Sequence, residues 1–220
     1  MKGLSGYARS VAARLVLASS SPRRRELLAA LGLTFEVCPA EVDESLAAGE
    51  SPFDAAERLA REKAMRAAAG IRGEAVVVAA DTLVVLRGEA LGKPADRADA
   101  VRMLRALAGR THEVVTGLAL ARDGRVVSGR DVTHVVFAPM TEEEIRAYAA
   151  SGEPDDKAGA YALQGIGGVF VERVEGSPSN VVGLPVRLFA RLAREAGLVL
   201  PAFGDAVAPP RPGSGRLEAT

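Results

Sequence analysis

The sequence predicts an α/β fold built on a mixed, twisted central sheet flanked by helices. Short apolar runs alternate with helical patterns from Leu15 to Leu198. Ala75–Ala80 (AVVVAA) is continuously apolar, as in a strand buried on both faces. Two long strand patterns flank Asp123-Gly124, a hairpin signal, so strands joined by crossovers and by hairpins share one sheet.

Leu15–Leu17 is a first short strand that stops at Ser19-Ser20-Ser21. Ser21 and Pro22 suit the N-cap and first position of a helix, Leu27, Leu28 and Leu31 give it an apolar face, and Gly32 ends it. Arg23, Arg24 and Arg25 fill its first turn, where the helix dipole favours acids. An anion bound there would supply the missing negative charge, because backbone N–H groups, serine hydroxyls and guanidinium groups converge at that end. The plainer alternative is a solvated basic helix end.

Phe35–Val37 forms a short strand, followed by the acidic turn Glu41-Val42-Asp43-Glu44. Ser51, Pro52 and Asp54 open a second helix with Phe53, Ala56, Leu59, Ala60 and Ala64 inward, and Gly70 closes it. The apolar strand Ala75–Ala80 ends on Asp81 and Thr82, and Leu83–Leu86 leads to a turn at Arg87-Gly88-Glu89. Leu91-Gly92-Lys93-Pro94 follows, then a third helix from Asp96 to Leu107 that stops at Gly109. Beyond the hairpin, Thr141–Glu144 (TEEE) is a capping box for a helix ending at Gly152. Glu153–Gly168 is a long polar, glycine-rich loop, Val169–Val171 a strand, and Pro185–Ala196 the last helix.

Composition excludes several classes. The 220 residues carry zero formal net charge, so no extended basic surface calls for nucleic acid. Cys38 is the only cysteine, which rules out an internal disulfide or a multi-cysteine zinc site, and a free cysteine is expected in or near the core. His112 and His134 are too few for a multi-histidine metal cluster. No apolar run reaches the length of a membrane span, and Arg14 interrupts the N-terminal apolar stretch, so no membrane partner and a cytoplasmic location are expected. Residues 1–13 are expected to be an N-terminal extension, 14–200 the folded domain and 201–220 a disordered tail.

Asp81 is the strongest catalytic candidate. It stands where a buried strand reaches its end, and a carboxylate there can hold Mg²⁺ or accept a proton from water. Lys93, held in a stiff loop by Pro94, can reach a phosphate, and Lys63 lies within the second helix. In the Glu153–Gly168 loop, Gln164 carries an amide able to read a base edge.

Several motifs run in order along the chain: Ala18-Ser19-Ser20-Ser21-Pro22-Arg23-Arg24, Val42-Asp43-Glu44, Arg61-Glu62-Lys63-Ala64, Ala80-Asp81-Thr82, Gly92-Lys93-Pro94, Thr111-His112 and Lys157–Gly165. Together they resemble the Maf family of nucleoside triphosphate pyrophosphatases. The resemblance implies two lobes with an active-site cleft, a fold similar to that of inosine triphosphate pyrophosphatases, a divalent cation (Mg²⁺ or Mn²⁺), a nucleoside triphosphate substrate and a homodimer. It makes Asp81 the proton acceptor, places Ser19, Arg24, Asp43, Lys63 and Lys93 around phosphate and metal, and gives Asp43 and Asp81 to the metal. Arg23, Thr82 and Gln164 match the branch similar to dTTP/UTP pyrophosphatases. The branch acting on 7-methyl-GTP tends to carry an aromatic residue near position 23, which could stack on a cationic purine, whereas this chain has arginine and no tryptophan. A nucleotide-responsive regulator of cell division, with incidental turnover, is the alternative from a different class.

Overall fold

A computed structural model describes residues 14–198 and Leu200. The expected N-terminal extension and C-terminal tail lie outside the described residues. The sheet is mixed, as the sequence predicts. Strands β1 (Arg14–Leu17), β2 (Glu36–Val37), β3 (Ala75–Leu86), β5 (Thr111–Arg122), β6 (Arg125–Phe137) and β7 (Val171–Glu175) lie in the order β2-β1-β3-β5-β6-β7, and β4 (Glu89–Leu91) pairs with β3. β1 is parallel to both β2 and β3, and the remaining pairs are antiparallel.

Helix α1 (Pro22–Ala30) starts at Ser21, whose side chain accepts a hydrogen bond from the Arg24 amide. Helix α2 (Pro52–Gly70) is capped by Ser51, α3 (Arg97–Leu107) by Asp96, and α4 (Glu142–Ala150) by the Thr141–Glu144 capping box. Helix α6 (Val186–Glu195) follows Pro185. Both hairpin turns place two consecutive residues at positive φ, Arg87-Gly88 and Asp123-Gly124, which matches the strand twist.

The core lies on both faces of the long strands. Near β1, even-numbered residues of β3 such as Val76, Val78 and Ala80 pack with Leu28, Leu188 and Phe189, while Val77 and Ala79 pack with Ala60, Ala64 and Ala67 of α2. At the other end, Val84, Leu104, Phe137, Tyr148 and Tyr161 form a separate cluster. The core at the β1 end and the cluster at the other end mark two lobes threaded by the same strands.

Four sequence expectations are corrected. The strand through Ala75–Ala80 does not end at Asp81; it runs on to Leu86, and Asp81 pairs with Gly117 inside the β3–β5 ladder. A polar side chain breaks the apolar pattern without breaking backbone pairing. The last strand is Val171–Glu175 rather than Val169–Val171: Ile166–Phe170 is a 3₁₀ segment, and the alternation VERVE is that of a half-exposed edge strand. A short helix, α5 (Pro178–Val182), fills a stretch the sequence leaves unassigned. Cys38 is exposed, because it follows the two-residue edge strand β2 and not a core element. Among the described residues, no helix is long and apolar enough to cross a membrane.

Candidate active site

The sheet has a gap at its centre. β5 occupies one edge of β3 along most of its length, while β1 pairs with the other edge only as far as Val78 and β4 resumes pairing at Val84. Among the described residues, no strand covers Ala79–Leu83 on that edge. A cleft of about 1240 Å³ opens there. It is lined by every residue that the sequence names for the site: Ser19, Arg23, Arg24, Asp43, Lys63, Asp81, Thr82, Lys93 and Gln164. Asp81 thus sits where the parallel neighbour leaves β3, which is the strand end that matters for a ligand.

Strand alternation sends Asp81 and Thr82 to opposite faces. On the α2 face, Lys63 Nζ lies 2.5 Å from Asp81 Oδ1 and 2.6 Å from Glu44 Oε1. Lys63 and Asp81 are each only 7 % exposed, so their charges compensate one another away from water. Burial works to raise the Glu44 pKa, but the hydrogen bond and charge of Lys63, with help from Lys93, bring it below the ordinary value.

Gly117 explains how α2 comes so close. A Cβ on Gly117 would lie 2.0 Å from the Ala56 carbonyl oxygen, so only glycine admits the helix at this approach. Lys63 is two turns further along the same face of α2 and opposite Asp81, the ladder partner of Gly117.

On the other face, Arg24 reaches back from α1 under the cleft. Its Nε donates to the Gly183 carbonyl at 2.8 Å, Nη1 to Ser19 Oγ at 3.1 Å and Nη2 to Thr82 Oγ1 at 3.0 Å. Burial holds its pKa below the ordinary arginine value, partly offset by the charge of Asp81. Ser19 is buried and also accepts from the Ser21 amide. This end of α1 therefore presents a preorganised, positively charged wall.

Two loops complete the walls. The loop carrying Asp43 and Glu44 is tied to α2 by Arg58, which donates to Glu50 at 2.7 Å and to the Ser45 carbonyl at 3.0 Å. The Arg58 hydrogen bond lowers the Glu50 pKa to about 2. Asp43 is exposed, and its Oδ1 accepts from the Ser45 amide at 2.9 Å, a backbone bond that lowers its pKa. The second loop, residues 153–165, carries two short 3₁₀ turns, Glu153–Asp156 and Ala158–Ala160. Its Gly159 amide donates to the Gly92 carbonyl at 3.0 Å, beside the exposed Lys93, and Asp156 lies 3.7 Å from Arg23. Glu153 anchors the loop by accepting from Tyr148 Oη at 2.9 Å and from the amides of Ile166 and Gly167 at 2.8 and 3.1 Å. Gln164 is exposed on this loop, and its amide makes no hydrogen bond among the described residues.

The structure adds residues the sequence left out. Glu44 joins Lys63 through tertiary contact alone, since a turn acid 19 residues upstream of a helical lysine carries no spacing signal. Glu153, Asp156 and Lys157 were visible only as polar loop residues; Lys157 also pairs with Asp156 and donates to the Glu153 carbonyl at 3.2 Å.

No group of three or more His, Cys, Asp and Glu among the described residues forms a metal cage. Mg²⁺ is usually held by one or two carboxylates, with substrate phosphate and water completing the shell. Asp81 and Glu44 fit that donor set: both converge on one nitrogen, and each has a second oxygen unengaged among the described residues.

Residues 14–196 match the family described as Maf-like protein. A dTTP/UTP pyrophosphatase of Anaeromyxobacter dehalogenans is 55 % identical over 195 residues, covering 87 % of this chain and 98 % of that protein. One from Geobacter sulfurreducens is 55 % identical over 79 % of this chain and 91 % of its own length, and one from Vibrio cholerae is 53 % identical over 79 % and 92 %. A solved HAM1 protein of Coxiella burnetii aligns with a TM-score of 0.41 at 19 % identity over 58 % of this chain and 74 % of that one, too slight a likeness to decide anything. On the family match and these near-full-length identities, the chain belongs to the Maf family.

Proposed function

We propose that this protein is a nucleoside triphosphate pyrophosphatase that hydrolyses dTTP and UTP, and modified pyrimidine triphosphates, to the monophosphate and pyrophosphate. The observation that carries the chemistry is the placement of Asp81 with Lys63 and Glu44 on one side of a cleft and the Ser19–Arg24 wall on the other. A triphosphate brings about four negative charges at neutral pH, and it can approach a carboxylate base only where cations offset them.

In this mechanism the Asp81 carboxylate orients a water for attack on the α-phosphorus and takes its proton as the new P–O bond forms. The bond from the α-phosphorus to its bridging oxygen breaks, and pyrophosphate leaves with the electron pair. Lys63 holds Asp81 in place and contributes positive charge beside the phosphates, Arg24 binds the phosphates from the opposite wall, and Lys93 balances the leaving group. Asp81 and Glu44, with Asp43 nearby, would hold a Mg²⁺ or Mn²⁺ ion, which supplies charge neutralisation and lowers the pKa of bound water. Gln164 pairs with the pyrimidine edge, donating and accepting through one amide. Arg23, 3.7 Å from Asp156, stands where the branch acting on 7-methyl-GTP tends to carry an aromatic residue that could stack on a methylated purine. A homodimer and a cytoplasmic location belong to the same proposal.

The test is pyrophosphate release from a panel of nucleoside triphosphates, run beside Asp81→Asn. Release from dTTP and UTP, lost in the nearly isosteric variant, is the expected result. Preference for 7-methyl-GTP would overturn the substrate, and nucleotide binding without turnover in the wild type would favour the regulatory role.

A further inference from the structure

We propose that Thr116 is a positioning residue for Arg24, acting through Thr82 from behind the cleft. The inference rests on the reading of Arg24 as a phosphate-binding arm. Thr116 lies on β5, is 0 % exposed and does not line the cleft. Its Oγ1 is 2.9 Å from the Asn180 carbonyl oxygen and 3.0 Å from Thr82 Oγ1.

Proton counting fixes the direction of this chain. A carbonyl oxygen only accepts, so the single proton of Thr116 goes to Asn180. The Thr116 oxygen is then an acceptor toward Thr82, and Thr82 must donate its own proton to it. Thr82 Oγ1 is left with only lone pairs toward Arg24, whose Nη2 donates at 3.0 Å. The sequence Arg24 to Thr82 to Thr116 to Asn180 is therefore one-way, and the Thr82 hydroxyl has no proton left for a ligand.

The same short helix supplies both ends of the clamp. Asn180 is buried and fixed by its amide, which donates to the Val114 carbonyl at 2.8 Å and to Thr133 Oγ1 at 3.0 Å. Gly183, at the end of α5, accepts from Arg24 Nε. Three of the five guanidinium N–H groups are thus committed to protein acceptors, and the plane they define aims the remaining two. Without the Thr116 hydroxyl, the Thr82 proton loses its acceptor and the Thr82 side chain is free to rotate, so its lone pairs are no longer held toward Arg24.

The experiment measures binding of inorganic tripolyphosphate by calorimetry and steady-state hydrolysis of dTTP, in the wild type, Thr116→Val, Thr116→Ser and Leu107→Ala. Thr116→Val should raise the tripolyphosphate Kd and the dTTP KM about tenfold with kcat little changed, and Thr116→Ser should restore both. Leu107→Ala opens a cavity in the core cluster around Phe137 and removes no hydrogen bond of the chain, so it should lower Tm while leaving KM and Kd alone. If Thr116→Val does not fold, Thr116→Cys, of similar volume and a weak donor, takes its place. Wild-type Kd and KM in the folded variant, or an equal loss in Leu107→Ala, would overturn the proposal while dTTP hydrolysis by the wild type still stands. Loss of tripolyphosphate binding in Thr116→Val, in a wild type that hydrolyses no nucleotide, would support the clamp and reject the enzymatic reading. No tripolyphosphate binding by the wild type would overturn the clamp.

Discussion

Lys63 Nζ and Asp81 Oδ1 meet at 2.5 Å between helix α2 and strand β3, and both side chains are buried. The pair joins the long helix to the centre of the sheet at the point where β1 has peeled away. Removing Lys63 strands the buried Asp81 carboxylate, whereas Lys63 keeps Glu44 as a partner when Asp81 is removed.

Lys63→Met should therefore both destabilise and inactivate. Leaving the Asp81 carboxylate uncompensated is expected to cost about 3 kcal/mol of folding stability. Urea denaturation of the variant, with pyrophosphate release measured below its unfolding midpoint, checks both effects. A variant as stable and as active as the wild type would show that the pair organises nothing.

Gly117→Ala tests the approach of α2 to the sheet. The new methyl group would meet the Ala56 carbonyl oxygen at 2.0 Å, so the helix must lift. Overpacking of this kind costs about 2 kcal/mol, and lifting α2 also withdraws Lys63 from Asp81. The expected result is a lower Tm together with a fall in kcat, read by thermal denaturation and single-turnover hydrolysis.

His112 sets an acid limit on stability. It is 2 % exposed, Nε2 lies 2.8 Å from Tyr161 Oη, and Nδ1 has no partner among the described residues. Burial lowers its pKa to about 4 from the ordinary 6.5, so the unfolded chain binds the proton more readily than the folded one. Stability is complete above pH 6.5 and is lost as pH falls through 4. The full loss amounts to about 3 kcal/mol. His112→Phe should flatten the fall of Tm between these two pH values relative to the wild type, and an unchanged slope would reject the assignment.

Glu153→Ala should loosen the loop that presents Gln164. The carboxylate accepts three hydrogen bonds, from Tyr148 and from the amides of Ile166 and Gly167, and the latter two become unpaired when it is removed. Burial works to raise the Glu153 pKa, but these bonds hold it below its ordinary value, so the wild-type anchor persists well into acid. The expected outcome is a higher KM for dTTP and UTP and a narrower gap to purine triphosphates in a substrate panel. Unchanged selectivity would mean the loop is held elsewhere.

The sequence by itself determined the elements with a local cause: caps at Ser21, Ser51, Asp96 and Thr141, two-residue turns at Arg87-Gly88 and Asp123-Gly124, and the apolar run of β3. It also named residues that prove to line one cleft, because their motifs resemble those of a family. Tertiary structure alone decided what those residues touch. Strand continuity past Asp81 depends on the backbone ladder with β5, to which the apolar pattern is blind. The meeting of Glu44 with Lys63, the three-way commitment of Arg24 and the role of α5 all bridge segments distant in the chain. Such contacts leave no periodicity, since long-range packing, not the spacing of neighbours, sets the distance between them.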